Sequence, residues 1–227
     1  MIDGKTFLAV IPARGGSKRL PKKNILDLAG KPMIAWSIDA GIKSKYIDTV
    51  IVSSDDTNIL KIAQKYGSDT MVRPRELAGD TSTTFDTVKH VIMNEQDYDY
   101  VILLQPTSPL RTCNDIDKAI EFLYQKKADA VVSVCKMEHS PLWSNTLPDD
   151  KNMQNFLSKE LINKRGQDLE TYYRLNGAIY ICKIEEFLKQ KSFFIKKDIF
   201  AYEMSQKASV DVDTQLDFEI ASSLLLH

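Results

Sequence analysis

The sequence predicts an α/β fold in which a mostly parallel β-sheet carries helices on both faces. Short apolar runs, suited to strands that are buried on both sides, alternate with segments whose apolar residues recur every three or four positions, as on an amphipathic helix. This alternation favours parallel strand pairing, because parallel neighbours need a crossover connection. The length of 227 residues, with 43% hydrophobic and 27% charged residues, fits one soluble domain or one domain with an insertion.

The first four elements follow from these patterns. Thr6–Ile11 is a continuous apolar run and is predicted to be a buried strand. Pro32–Ala40 is predicted to be a helix, because proline suits the first turn and Gly41 suits the end. Thr49–Ser53 is brief and β-branched, which predicts a strand, and the following helix is expected to end before Gly67. The apolar stripe of that helix is Ile59, Ile62, Ala63 and Tyr66.

Two helices are predicted from the residues at their N-terminal caps. Thr83 with Asp86, and Thr112 with Asp115, have the spacing of a capping box, and the first of these helices is expected to run to Glu95. The other predicted elements are strands at Tyr100–Leu104, Ala130–Val134, Gly177–Cys182 and Ile199–Glu203, and a helix at Leu216–Leu226 capped by Thr214.

One long segment breaks the alternation. From His139 to Tyr173 the chain has two prolines, many polar residues and no periodic pattern. Such a length is too great for a plain loop in a compact domain. We therefore expect residues 1–138 and 174–227 to form the core and residues 139–173 to form an inserted arm.

Composition excludes several classes of protein. The formal net charge of −1 offers no global attraction to nucleic acid or to an anionic membrane. The longest apolar runs are about five residues, against the roughly 20 of a membrane span, and the N-terminus lacks the pattern of a secretory signal. The cysteines are odd in number and have no C-x-x-C spacing, which favours free thiols in the cytoplasm and argues against a Cys/His zinc site. The residues concerned are Cys113, Cys135 and Cys182 with His90, His139 and His227.

A basic loop follows the first predicted strand. Residues 13–24 carry five positive charges and no negative one. The charges are Arg14, Lys18, Arg19, Lys22 and Lys23. Glycines allow backbone N–H groups to approach a phosphate, and the cations neutralise it. The loop matches neither a Walker A motif nor a G-x-G-x-x-G fingerprint, and a solvated surface is the alternative. Its position at the carboxyl end of a strand favours an anion site.

Two acids near the C-terminus form a second candidate. Asp211 and Asp213 alternate along an extended segment, so both carboxylates can face one site. Hard oxygen ligands of this kind suit Mg²⁺, which commonly takes one or two carboxylates together with substrate phosphates. The alternative is a pair of simply exposed aspartates.

The segment Leu103–Arg111 is a third candidate. Gln105 and its neighbours offer neutral hydrogen bonds, and Arg111 offers a fork for a carboxylate or a phosphate. A rigid strand-to-helix turn is equally consistent with its two prolines.

Two further pairs of polar residues are open to both functional and structural interpretations. Arg174 and Asn176 could face a polar ligand, or could form a bend with Gly177. Asp55 and Asp56 could hold ribose hydroxyls or a metal, or could simply begin a helix.

Eight segments, in order along nearly the whole chain, resemble the cytidylyltransferases that activate nine-carbon 2-keto sugar acids, the CMP-N-acetylneuraminate (sialic acid) synthetase family. They are I-P-A-R-G-G-S-K-R-L-P-K-K-N, G-K-P-M-I-A-W-S-I, V-S-S-D-D, R-P-x-E-L-A-x-D-T-S, L-L-Q-P-T-S-P-L-R, H-S-P-L-W, Y-R-L-N-G-A-I-Y-I and D-V-D-T. The L-Q-P-T-S-P-L-R segment is typical of the sialate and legionaminate branches of the family.

The resemblance implies a Rossmann-like nucleotidyltransferase sheet and a reaction in which CTP and a 2-keto sugar acid give the CMP-sugar and pyrophosphate, with Mg²⁺. It implies a cytoplasmic homodimer whose inserted arm is the dimerisation arm. The implied nucleotide-binding residues are Arg14, Gly16, Ser17, Lys23, Asn24, Arg73, Ser82 and Thr84. The implied sugar-binding residues are Gln105, Arg165, Arg174 and Tyr180, and the metal-binding pair is Asp211 and Asp213. Catalytic roles fall to Arg14, Lys23 and Asp211.

Two positions depart from the family pattern. Arg19 stands where many sialate enzymes have glycine, and in K-R-G-Q-D-L-E Gly166 and Glu170 replace an arginine and a proline. Two alternatives also stay open: a cytidylyltransferase for pseudaminate or Kdo, and a non-catalytic nucleotide-binding regulator.

Overall fold

A computed structural model of the chain describes residues 2–17, 19–79, 82–95 and 97–226. The strands are β1 Phe7–Pro12, β2 Asp27–Leu28, β3 Lys31–Pro32, β4 Thr49–Ser54, β5 Asp69–Val72, β6 Tyr100–Leu103, β7 Ala130–Lys136, β8 Tyr173–Lys183 and β9 Ile199–Met204. The helices are α1 Met33–Ile42, α2 Thr57–Lys65, α3 Thr84–Asn94, α4 Cys113–Lys126, α5 Ile184–Gln190 and α6 Gln215–Leu226. The predictions that concern Lys18, Asp80, Thr81 and His227 fall on residues outside these ranges.

The mostly parallel sheet is confirmed. Its strands lie in the order β5-β4-β1-β6-β8-β7-β9, and β2 and β3 form a separate small hairpin. β8 is antiparallel to both of its neighbours, whereas the other six strands of the sheet share one direction. The carboxyl ends of β1, β4, β5 and β6 therefore meet along one edge of the sheet, called here the carboxyl edge.

Helices cover both faces of the sheet, as predicted. Alternate residues of β1 point to opposite sides, so Ala9 and Ile11 pack with α1, α2 and α4, and Leu8 and Val10 pack with α3 and α5. All four of these strand residues are completely buried. This two-sided burial explains why the strand is a continuous apolar run rather than an alternating one.

The two predicted capping boxes are confirmed, but the predicted end of one helix is not. Both capping boxes form, with Thr83 and Thr112 each accepting the N–H of the third helical residue. The predicted end of α1 at Gly41 is wrong, because the helix continues to Ile42. A Cβ at Gly41 would lie 3.0 Å from Val50 of β4, so this glycine allows α1 to pack closely on the sheet.

The hairpin of β2 and β3 was not predicted from the sequence, and neither were β5 and α5. β5 is a four-residue edge strand with no fully buried residue, so it has no apolar run to reveal it. α5 is a seven-residue helix in which only Phe187 is buried. The strand expected from Gly177 also begins earlier, at Tyr173, where it pairs with Lys136 at the end of β7.

Residues 139–172, all of which the structure describes, contain only two short 3₁₀ turns, Pro141–Trp143 and Gly166–Asp168. The segment leaves the sheet after β7 and returns at the start of β8, at the carboxyl edge. Within the described part of the chain, no helix has the length and apolarity needed to cross a membrane.

Candidate active site

A cavity of about 670 Å³ opens at the carboxyl edge of the sheet. Its wall comes from segments that the sequence separates widely: the basic loop, the loop before α3, the turn after β6, and Asp213 near the C-terminus. The predicted site residues in its lining are Arg14, Ser17, Lys23, Asn24, Arg73, Ser82, Thr84, Gln105 and Asp213. Gly16, Arg165, Arg174, Tyr180 and Asp211 are not in the lining.

The basic loop is anchored to the ends of its neighbouring strands. The N–H of Gly15 donates to Asp55 at 3.0 Å. A Cβ on Gly15 would lie 2.9 Å from a carboxylate oxygen of Asp56, so only glycine allows this approach. The amide of Asn24 donates to the Arg14 carbonyl at 3.1 Å, while its buried oxygen has no hydrogen-bond partner among the described residues. The loop is thus anchored at Gly15 and Asn24, while Arg14, Arg19 and Lys22 are exposed.

The structure assigns different positions to the two acids after β4. Asp56 caps α2 by accepting from Asn58 and Ile59, which agrees with the structural interpretation. Asp55 holds the basic loop through Gly15. Both acids therefore shape the cavity wall without entering its lining.

Arg73 supplies a buried cation beside the loop. Its side chain donates to the Ser53 carbonyl at 2.6 Å and to the Ser53 hydroxyl at 3.3 Å. Only 6% of the residue is exposed, and burial lowers the pKa of the guanidinium, a shift that nearby Asp55 opposes.

The C-terminal acids are bound to the basic loop. Asp213 accepts from Lys23 and from Arg19, each at 2.8 Å. Lys23 also donates to the Val212 carbonyl at 2.8 Å. Burial raises the pKa of Asp211 even though part of the residue is exposed, and hydrogen bonding to Thr107 acts in the opposite direction.

The predicted acceptor-side residues are only partly brought together. Gln105 lies in the cavity lining, and its side-chain oxygen would be 3.1 Å from a Cβ on Gly177. Arg174 lies away from the lining and pairs with Glu138 at 3.1 Å. Tyr180 packs against two aromatic rings, and its pKa is raised by burial and then by Asp211. Arg165, in the arm, has a side chain 80% exposed and pairs with Asp168.

Two functional interpretations of the sequence are wrong. Asn176 does not face a ligand: only 1% of it is exposed, and it bonds to Ser133 and Ser209. Arg111 does not offer an open fork either. It is 2% exposed and donates to the carbonyls of Gln105 and Ala178, and burial lowers its pKa to about 10.

Residues 8–224 match the family model described as cytidylyltransferase. The chain belongs to the cytidylyltransferase family.

Individual members of the family agree with this result. The chain is 37% identical over 220 residues to the N-acylneuraminate cytidylyltransferase of Escherichia coli, covering 96% of this chain and 52% of that protein. It is 37% identical over 232 residues to the CMP-N,N'-diacetyllegionaminic acid synthase of Legionella pneumophila, covering 96% of each. The chain therefore spans about half the length of the first of these relatives and nearly the whole of the second.

A solved structure has the same fold. It is that of a CMP:2-keto-3-deoxy-manno-octonic acid synthetase complexed with CTP, which superposes with a TM-score of 0.74 at 20% identity. The match covers 98% of this chain and 99% of that one.

The carboxylates of Asp211 and Asp213 suit a metal ion that a bound substrate also coordinates. Among the described residues no group of three or more His, Cys, Asp and Glu side chains could hold an ion. Asp213 lines the cavity, and Asp211 lies near enough that, after burial, the Asp213 charge contributes to raising its pKa; Mg²⁺ commonly takes two carboxylates and completes its octahedron with water and phosphate oxygens. The pair is thus unsuited to an all-protein cage but suited to Mg²⁺ that arrives with a nucleotide.

Part of the cavity wall was not singled out from the sequence. This part is Thr87 of α3. Thr87 lies one turn after Thr84, on the same face of the helix, so helical spacing is the signal that finds it.

Proposed function

We propose that the chain transfers CMP from CTP to the anomeric hydroxyl of a nine-carbon 2-keto sugar acid, N-acetylneuraminate or legionaminate, and releases pyrophosphate. The observation that supports this most strongly is the joining of the basic loop to the acidic segment in one cavity. A volume of about 670 Å³ suits a nucleotide, since ligand pockets commonly measure some 300–1,000 Å³. The identities with sialate and legionaminate relatives support the choice of acceptor.

The triphosphate would bind against the basic loop. Arg14, Ser17 and Lys23 line the cavity and offer two cations and a hydroxyl. The Lys23 ammonium has three N–H donors, of which Val212 and Asp213 use two, and the third is available to a phosphate oxygen. Gly16 would offer its backbone N–H, and Asn24 its unpartnered amide oxygen, to the phosphate and ribose hydroxyls respectively.

The nucleotide base would lie between the loop before α3 and the buried Arg73. Ser82, Thr84 and Thr87 offer hydroxyls on this wall, and Leu77 and Ala78 offer apolar surface. Hydroxyls beside an apolar surface suit a planar heterocycle with exocyclic polar groups.

In the reaction, the anomeric hydroxyl of the acid would attack the α-phosphorus of CTP in line, its proton would pass to water, and the bond to pyrophosphate would break. Such a transfer depends mainly on positioning and on stabilisation of charge. Arg14 and Lys23 would neutralise the departing pyrophosphate, and Asp211 and Asp213 would hold Mg²⁺. When bound, Mg²⁺ supplies charge neutralisation on the phosphate oxygens and lowers the pKa of the attacking hydroxyl.

The acceptor would lie on the β8 side of the cavity. Gln105 would donate to a sugar hydroxyl, and Tyr180 and Arg174 would come from the same strand. Arg174 would exchange Glu138 for the sugar carboxylate.

We further infer a cytoplasmic homodimer in which residues 139–173 form the dimerisation arm and Arg165 reaches a site on the partner. The arm exposes large apolar side chains, with Leu147 59%, Met153 57% and Ile162 61% exposed. Apolar groups of this size on a segment without regular structure are typical of a surface that another chain covers.

The test is release of pyrophosphate from CTP and Mg²⁺ with N-acetylneuraminate and di-N-acetyl-legionaminate in parallel, and the ratio of kcat/KM values identifies the acceptor. Pseudaminate and Kdo serve as competing acceptors, and turnover with one of them alone would overturn the assignment of the sugar. Binding of CTP without turnover of any acid would instead favour the regulator.

A further inference from the structure

A bulge interrupts the pairing of β7 with β8. Val132 pairs with Tyr180 and Val134 pairs with Leu175, so Ser133 alone lies opposite residues 176–179. A bulge leaves backbone groups without their ladder partners, and buried groups of this kind must find others.

Buried side chains take the place of the missing ladder. Ser133 accepts from the Ile179 N–H at 2.8 Å and donates to the Asn176 side-chain oxygen at 2.6 Å. The same oxygen of Asn176 accepts from the Ala178 N–H at 3.2 Å. One end of the Asn176 amide is thus fully used within the bulge.

The other end of the amide leads out of the sheet. Its nitrogen donates to the Ser209 hydroxyl at 2.8 Å, and Ser209 in turn donates to the Ser205 carbonyl at 2.7 Å. Ser209 and Asn176 are 0% and 1% exposed. Two residues beyond Ser209 the chain reaches Asp211.

The acidic segment is then held at a second point. The Val212 N–H donates to the Thr107 carbonyl, in the turn that follows β6, at 2.8 Å. The Val212 carbonyl accepts from Lys23. Asp211 therefore lies between two anchors, the Ser209 hydroxyl on one side and Val212 on the other.

We propose that Asn176 is a positioning residue that acts through Ser209 to set Asp211 relative to the acceptor side of the cavity. This inference rests on the proposed function. The Asn176 amide connects the two regions. Its oxygen holds the bulge in which Gly177 approaches Gln105, and its nitrogen holds Ser209 at the start of the acidic segment. Without this amide, the acidic segment would keep its attachment at Val212 and the hydrogen bond from Ser209 to Ser205, but Ser209 would lose its connection to the bulge.

Ser209→Ala tests the link while leaving the bulge itself intact. Ser44→Ala is the matched control, because the Ser44 hydroxyl is also buried, donates to Asp117 at 2.6 Å and accepts from the Tyr46 N–H at 3.3 Å. Ser44 follows α1 and lies on the opposite edge of the sheet from the cavity. Both variants should lose thermal stability, and Ser44→Ala at least as much as Ser209→Ala, because the Ser44 hydroxyl donates to a charged carboxylate.

Two measurements separate a positioning role from a structural one. The first is binding of Mn²⁺ to the CTP complex, followed by electron paramagnetic resonance, and the second is the Mg²⁺ concentration that gives half-maximal turnover. Ser209→Ala should weaken Mn²⁺ binding and raise the half-maximal Mg²⁺ concentration, each by on the order of 10-fold, as changes in the outer shell of metal sites do. The KM for CTP should stay unchanged. Ser44→Ala should leave both at the wild-type value.

Equal metal dependence in Ser209→Ala and Ser44→Ala would overturn the inference while leaving the proposed function standing. Asn176→Ser, which keeps a hydroxyl but cannot span both partners, should reproduce the Ser209→Ala shift. A wild-type chain that makes no CMP-sugar with any acid would instead remove the proposed function, and the inference with it.

Discussion

Gly177→Ala should separate the acceptor side of the cavity from the nucleotide side. Gly177 has φ +73°, and a Cβ there would lie 3.1 Å from the side-chain oxygen of Gln105. The substitution therefore strains the backbone and also pushes Gln105 out of its position. Gly67→Ala is the control, because Gly67 has φ +88° but its nearest neighbour would be Ile42 at 3.6 Å, an ordinary contact far from the cavity.

The expected sizes of the two effects differ. A left-handed alanine costs about 1–2 kcal/mol, which for a chain of this length lowers Tm by roughly 2–8 °C, and both variants should show it. Displacement of Gln105 loses one neutral hydrogen bond, worth about 0.5–1.5 kcal/mol, and hence raises the acceptor KM by roughly 2- to 10-fold. Only Gly177→Ala should show that rise, with no change in the KM for CTP.

The assay is pyrophosphate release under varied acceptor at saturating CTP, with Tm measured by differential scanning fluorimetry. If both variants lose stability equally and neither changes the acceptor KM, the assignment of Gln105 to the acceptor is wrong. If the KM for CTP rises instead, Gln105 belongs to the nucleotide side.

Three further predictions follow from single contacts. Lys23→Ala should lower kcat/KM on the order of 100-fold, as loss of a charge-stabilising donor does. Lys22 is an exposed neighbour outside the cavity lining, so Lys22→Ala should leave kcat/KM unchanged. Equal kcat/KM values for the two variants in steady-state assays would contradict the role of Lys23. Thr112→Ala removes the cap of α4 and should reduce the free energy of unfolding by about 1 kcal/mol without changing kcat, which urea denaturation with parallel turnover assays checks. The Lys5 hydrogen bond, followed by that of a backbone N–H, lowers the pKa of Asp99, so its charge stabilises the fold above about pH 4 and this contribution is lost as the pH falls further. Asp99→Asn should therefore flatten the acid side of the stability profile, and an unchanged slope below about pH 4 would count against it.

The fold was predictable where local pattern and burial agree. β1 is apolar on both faces because helices cover both, and the capping boxes of α3 and α4 depend on residues three positions apart. β5 and α5 were not predicted, because each buries little apolar surface of its own. Their positions depend on contacts with neighbouring elements, and a local sequence pattern does not reveal those contacts.

The site was predictable as a set of segments but not as a set of orientations. The position of the basic loop at the end of β1 follows from the rule that ligands bind at the carboxyl ends of parallel strands. That Asn176 and Arg111 point into the protein does not follow, because a polar residue in a strand can satisfy a bulge as readily as it can meet a ligand. For Asn176 the register of β7 with β8 decides between these two roles, whereas Arg111 lies outside the strands and donates to the carbonyls of Gln105 and Ala178.

The reversed direction of β8 has a consequence for divergence within the family. Lys136 and Tyr173 are paired neighbours, so the chain leaves and re-enters the sheet at one point, and residues 137–172 can change without shifting any strand. The entropy of closing such a loop grows slowly, with each doubling of its length costing only about 0.6 kcal/mol. Evolution can therefore remodel this segment by insertion, deletion or drift while the strands and the basic loop stay as they are.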